Sequence, residues 1–385
     1  MNRDFCDFLE FNFAYFDYAA TTFMPKQVLE MQYYYNRNIG VSANRGKSVL
    51  ANKANDMYQK ARENVKNFFV GDDEKQLIFY RGTSYALNEI AYSIQHIINP
   101  MDIILIGPFE HHSNYLPWRE LCRRRGAILF EMPLLENNSI NIPYLEEIKS
   151  KIKVIAFSSV ANINGFRMDI DAISPILNEN VIVIVDDSQK CAHEKIENSP
   201  LIDCHIVNAH KMYGPKGIAG ALVSSRMIDI MKPCIFGGGM IERVGFPNVW
   251  KSGVQAFECG TIDIGNVVAW SEACQYMSDI GYDTINMFEN ANFDTIIRLL
   301  ENIRGVEIIS DYRTKSLISF IHGNIHAHDI EDYFSNKGVI IRTGHLCSQN
   351  SIAKYNMKPL VRISFGLSND EDDIEKLVKV IEEYL

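Results

Sequence analysis

With 385 residues, 47% of them hydrophobic and 22% charged, the chain has the apolar mass for a large core and the length of two or three domains. Its formal net charge of -10 speaks against a binder of the phosphate backbone, which needs clustered lysine and arginine, so no nucleic-acid partner is expected. The first ten residues mix acids with apolar side chains, unlike a secretory signal, and no run approaches the roughly 18 apolar residues of a membrane span, so a soluble, cytoplasmic protein without membrane contact is expected.

Eight cysteines are scattered without short paired spacings, which suits neither a zinc site nor a disulfide framework, and no metal site is expected. Between about 76 and 225, short β-rich runs alternate with amphipathic segments in the manner of βαβ units. A mainly parallel sheet covered by helices follows, and in such sheets ligands bind beyond the carboxyl ends of the strands.

The run at 77–80 leads into Arg81-Gly82-Thr83-Ser84 and a helical stretch, which aims free backbone N–H groups and two hydroxyls at an anion. Its plainer reading is an ordinary helix cap after a glycine turn. Further runs follow at 103–106 and 154–157. The run at 181–185 delivers Asp186-Asp187-Ser188-Gln189, which puts a carboxylate where it can keep a pyridinium nitrogen protonated. By itself a strand-end Asp more often caps a helix or binds a metal. After 206–207 come Asn208-Ala209-His210-Lys211 and a Gly/Pro-rich turn; a lysine there can form a Schiff base if its surroundings lower its pKa, against the plain reading of a solvated lysine. A last run lies at 219–223. Beyond Gly265 the pattern changes to helices at 268–280 and 284–302, strands at 306–310 and 317–321, and a charged helix at 370–384, as in a smaller α+β domain.

The ordered set Gly82-Thr83-Ser84, Glu110-His111-His112, Asn162 to Gly165, Asp186 with Gln189, and His210-Lys211 with 212–215 resembles the class V, fold-type I pyridoxal 5′-phosphate (PLP) enzymes. More narrowly, it resembles the Suf-type (group II) cysteine desulfurase and selenocysteine lyase family. The likeness runs from 15–22 through Arg45-Gly46 and 257–261 to the end of the chain.

This resemblance implies an α/β fold with a large PLP-binding domain (26–268), a small C-terminal α+β domain (269–385) and an N-terminal segment (1–25) packing with the small domain. It implies Lys211 as the Schiff-base lysine, Asp186 on the ring nitrogen, Gln189 on the phenolic oxygen and His111 stacked on the ring as a proton relay. Thr83, Ser84, Asn208 and His210 would bind the phosphate. Thr261 would reach the phosphate of a neighbouring subunit, which implies a homodimer with shared active sites. Asn162 and Arg362 would hold the substrate carboxylate, for which a guanidinium fork is suited, with Arg342 also among the substrate-binding residues. The plain reading of Arg362 is a surface ion pair.

Cys347 ends Arg342-Thr343-Gly344-His345-Leu346-Cys347 and resembles the sulfur-accepting cysteine of the family, with Arg342 and His345 supplying an electropositive setting. A buried apolar cysteine is the alternative. The implied reaction converts L-cysteine to L-alanine, leaves a persulfide on Cys347 and passes it to an acceptor, which a partner protein would carry. An aminotransferase, epimerase, C–S lyase or selenocysteine lyase on the same scaffold stays open, as does a catalytically silent PLP-fold partner protein. The chain departs from the family pattern at Asn44, Ser159, Asp187, Asn208, 262–263 and Leu346.

Overall fold

The computed structural model describes residues 4–5, 13–42, 46–71, 74–354 and 356–385. Asn44, Arg45 and Cys6 lie outside the described residues, as does much of the segment 1–12.

Among the described residues seven strands form the central sheet, in the spatial order Gln76–Tyr80, Ala219–Val223, Cys204–Asn208, Ile182–Asp186, Ile152–Ser158, Ile103–Ile106 and Ile128–Glu131. Of these, only Ala219–Val223 runs antiparallel to its neighbours, so the other six share one direction. Side chains alternate between the two faces with the period of two that a strand imposes. Leu77 and Phe79 join one apolar cluster with Val207, Leu222 and Trp270, whereas Ile78 and Tyr80 join another with Leu87, Trp118, Ile184 and Ile206. Both faces are therefore covered, which is why the central strands read as unbroken apolar runs. The edge strand Ile128–Glu131 is only partly buried, and its short, half-exposed sequence carried no such signal.

Helix Ile264–Ile280 buries Trp270, Ala273 and Met277 in the cluster that holds Leu77 and Phe79. The expected boundary at 268/269 thus falls inside a helix that belongs with the large sheet. Gly281, with a φ of 77°, ends that helix before Tyr282–Glu301 begins, and Ile285 of the second helix still packs in the same cluster as Trp270.

The smaller unit is an antiparallel sheet in the order Val306–Ile308, Leu317–His322, Leu360–Ser364, Arg342–Gly344. Helices Tyr282–Glu301, Ala327–Asn336 and Glu371–Tyr384 pack on it through Phe293, Phe334 and Leu377. The N-terminal strand Ala14–Tyr15 pairs parallel with Val339–Ile340, and Ala14 and Phe16 enter the same cluster. The chain then crosses to the large sheet, where Thr22 N donates to His210 O at 2.8 Å. Among the described residues no helix is long and apolar enough to cross a membrane.

Candidate active site

The shared strand direction brings the loops that follow Tyr80, Ile106, Ser158, Asp186 and Asn208 to one edge of the sheet. With the Arg342–Gly344 strand and the loop after it, they enclose a cleft of about 820 Å³. Every residue assigned above to cofactor, substrate or sulfur lines it, except Thr261. Thr261 is exposed and lines smaller cavities beside Glu258. Glu258 accepts from Phe79 N at 2.8 Å and pairs with Arg62 at 2.6 Å, which ties that segment to the sheet edge.

One end of the cleft suits an anion. Helix Thr83–Ser93 starts after Gly82, whose φ of 146° is open to glycine but not to side-chain-bearing residues. Gly82 has no side chain to cap the helix, so its first N–H groups are left to the cleft. Thr83 Oγ1 lies 3.3 Å from Ser188 Oγ. His210 also lines this cleft; burial, then the charges of Lys211 and Lys216, push its pKa down to about 4. Asn208 Oδ1 accepts from Lys211 N at 3.0 Å and so holds the turn that carries the lysine.

Asp186 is the buried last residue of its strand, and its Oδ1 accepts from Ser188 N at 3.0 Å, which fixes the carboxylate. Burial raises its pKa; the Ser188 hydrogen bonds and the Lys211 charge oppose that rise. For Lys211, burial lowers the pKa and Arg362 adds to the effect, against the pull of Asp186. Both directions favour a neutral amine, the nucleophilic form. His111 is held below the ordinary histidine range, at about 3, by burial and then by Lys211, His112 and Arg362. Its Nδ1 accepts from Ser113 N at 3.1 Å, which leaves the ring proton on Nε2. Gln189 Nε2 donates to Ala19 O at 2.8 Å, so one of its amide protons is already engaged.

Arg362 is 3% exposed, which overturns the reading of a surface ion pair. One terminal nitrogen donates to Asp17 Oδ1 at 2.8 Å and the other to Asn162 O at 3.0 Å. Its Nε is buried with no hydrogen-bond partner among the described residues. Arg342 is largely exposed and stands 3.9 Å from Asp17 Oδ2. Two guanidinium groups therefore share one carboxylate, and the surplus positive charge suits a single substrate carboxylate. Cys347 is exposed, not a buried apolar thiol.

The departures from the family pattern have local partners. Asp187 Oδ2 lies 2.7 Å from His205 Nδ1, both fully buried behind Asp186. Asp263 caps helix Ile264–Ile280 by accepting from Asn266 N at 3.1 Å, and Leu346 packs with Phe109, Ile163 and Phe166. Ser159 N donates to Asp186 O at 3.1 Å. Sequence reasoning missed Asp17 as the partner of Arg362, although Asp17 sits inside the quoted stretch 15–22. It also missed His112 as a contact of the Cys347 loop.

The cleft thus combines an anion-binding helix start, a fixed carboxylate, a partly buried amine and an unpartnered guanidinium N–H. That donor set fits a phosphate-bearing pyridine aldehyde together with an amino-acid carboxylate.

The profile of the family described as aminotransferase class-V matches residues 14–377. A probable cysteine desulfurase of Halalkalibacterium halodurans is 32% identical over 374 residues, covering 96% of this chain and 92% of that protein. A probable cysteine desulfurase of Staphylococcus aureus is 30% identical over 377 residues, covering 96% of this chain and 91% of that protein. The apo structure of a cysteine desulfurase from Thermococcus onnurineus NA1 matches with a TM-score of 0.90 at 26% identity, over 96% of this chain and 94% of that one.

Proposed function

The chain belongs to the aminotransferase class-V family, and on that premise we propose that it is a PLP-dependent cysteine desulfurase. It would convert L-cysteine to L-alanine with a persulfide formed on Cys347 and passed to an acceptor. The observation that carries this reading is the exposed Cys347 on the wall of the same cleft as Lys211, Asp186 and Arg362. The names of the two relatives and of the solved structure support it.

Thr83, Ser84, Asn208 and His210 would hold the phosphate, Asp186 the ring nitrogen, Gln189 the phenolic oxygen and Lys211 the aldehyde carbon. When bound, PLP supplies an electron sink for the bonds at the substrate's Cα. Arg362, Asn162 and Arg342 grip the substrate carboxylate. Lys211, set free as a neutral amine, takes the Cα proton, and neutral His111 can donate from Nε2 without adding charge. The Cys347 sulfur then attacks the substrate sulfur. An S–S bond forms, the Cβ–S bond breaks with its electron pair left on carbon, that carbon takes up a proton, and return of the proton from Lys211 to Cα completes alanine. A thiol acceptor, carried by a partner protein, takes the persulfide sulfur.

Thr261 is exposed and lines no part of its own cleft, which fits a homodimer in which its hydroxyl reaches the partner's phosphate. The hairpin joining Ile241–Arg243 to Val249–Trp250 leaves Val244 and Phe246 in solvent, and large apolar groups of this kind fit a contact with the second copy. The reducing cytoplasm would keep Cys347 a thiol.

The test is mass spectrometry of the Cys347 peptide after wild-type holoenzyme meets L-cysteine without acceptor; a gain of one sulfur is expected. Cys347→Ser replaces a soft nucleophile by a hydroxyl, so it should still bind cysteine, with a change in cofactor absorbance, and release no alanine. Alanine release at the wild-type rate would instead place the protein among the lyases or aminotransferases of this scaffold.

A further inference from the structure

Cys347 lies in the tight loop between strand Arg342–Gly344 and helix Gln349–Lys354. Leu346 and Cys347 both have positive φ, 49° and 55°, in the left-handed region that residues other than glycine seldom occupy. Two consecutive residues in that region need neighbours that hold them there. The neighbours are two residues of the large sheet's loops. Asn162 Nδ2 donates to Leu346 O at 2.7 Å, and Asn162 Oδ1 accepts from Ser348 Oγ at 3.1 Å. His112, the first residue of helix His112–Arg125, grips the cysteine from the other side. Its N–H donates to Cys347 O at 2.7 Å, and its ring Nε2 accepts from Gln349 N at 3.1 Å.

We infer that His112 is a positioning residue for the sulfur-accepting Cys347, clamping the loop on both sides of the thiol. The inference rests on the desulfurase reading, because only then does the place of that sulfur decide a rate. A nucleophile must sit within a fraction of an ångström of its productive position, and a loop released by one hydrogen bond loses that accuracy. Accepting at Nε2 requires a ring that is neutral with its proton on Nδ1. Burial and the neighbouring His345 lower the His112 pKa, which keeps the acceptor available. His112 lies next to His111 but serves a different end. His111 accepts from Ser113 at its own helix start, while His112 reaches across to the small unit.

The backbone bond is kept in any variant that retains the N–H, so side-chain variants isolate the ring. His112→Leu removes the acceptor at similar volume, and His112→Gln restores it through Oε1. In the holoenzyme, His112→Leu should raise deuterium exchange over 345–349 and slow single-turnover persulfide formation on Cys347, each about tenfold, the scale of one lost hydrogen bond. Its affinity for cysteine, read from the cofactor absorbance, should stay within about twofold of wild type, because substrate binding does not use this ring. His112→Gln should restore both the exchange and the rate to within about threefold of wild type.

If His112→Leu leaves either the exchange or the rate unchanged, or if His112→Gln is as impaired as His112→Leu, the inference is overturned. A wild-type enzyme that forms no persulfide on Cys347 refutes the desulfurase reading instead. The exchange measurement, which needs no turnover, then decides by itself whether His112 clamps the loop.

Discussion

Asp17 and Arg362, 345 positions apart in the chain, form a buried ion pair at 2.8 Å on the wall of the cleft. Asp17 comes from the segment that crosses from the small unit to the large sheet, and Arg362 from a central strand of the small sheet. Removing the Asp17 carboxylate would leave the guanidinium buried and uncompensated. Asp17→Ala is expected to lower the unfolding free energy in urea by about 3–5 kcal/mol, the cost of breaking a buried pair from one side. A loss below about 1 kcal/mol would mean that solvent screens the pair as it does at a surface.

Lys211→Ala should remove the visible absorbance of a lysine-bound cofactor, since Lys211 is the cleft lysine whose charge acts on Asp186, while Lys216, which also lines the cleft, is exposed. Borohydride treatment of the wild type should fix the cofactor to the Lys211 peptide. A borohydride-stable adduct formed by the Lys211→Ala protein would refute the assignment.

His111 supplies a pH dependence whose sign can be worked out. Its folded pKa of about 3 lies below the ordinary 6.5. As pH falls below about 6.5, the unfolded chain takes up a proton that the folded chain refuses, so stability is full above that value and is lost towards the folded pKa. His210 acts in the same direction, and Glu110, raised to about 8 by burial, acts in the opposite one. The difference between variants isolates the ring. In cofactor-free protein, His111→Gln should flatten the dependence of unfolding free energy on pH by about 1 kcal/mol per pH unit between roughly pH 4 and 6. Equal slopes in urea titrations of the two proteins would rule this out.

Mixed dimers test the role of Thr261. A dimer of one Thr261→Ala subunit and one Lys211→Ala subunit should confine both lesions to one of its two sites and leave the other intact. Activity in that dimer should therefore be about half that of wild type. Complete loss of activity would mean that the two lesions fall in different sites, so that each residue acts within its own subunit.

Much of this architecture is legible in the sequence because it depends on local periodicity. The apolar runs of the central strands reflect burial on both faces, and the polar residues just after them reach the cleft because six strands share one direction. Gly82, Asp186, Asn208 and Lys211 are of this kind, each placed by its neighbours in the chain. The edge strand Ile128–Glu131 escaped because a half-exposed edge lacks the continuous apolar run.

Only the tertiary structure decided the pairings between distant segments. The Asp17–Arg362 pair, the His112–Gln349 hydrogen bond and the Asp187–His205 contact each join residues from different strands or units. Helix Ile264–Ile280 likewise belongs to the large sheet through Trp270 and Met277, although composition changes before it ends. Hydrophobic period and turn chemistry specify the course of the backbone over a few residues, and so determine which side chains stand at a strand's end. They carry no information on which charge meets which across 345 positions; that is settled by packing, where a buried ion must find its counter-ion or remain in water.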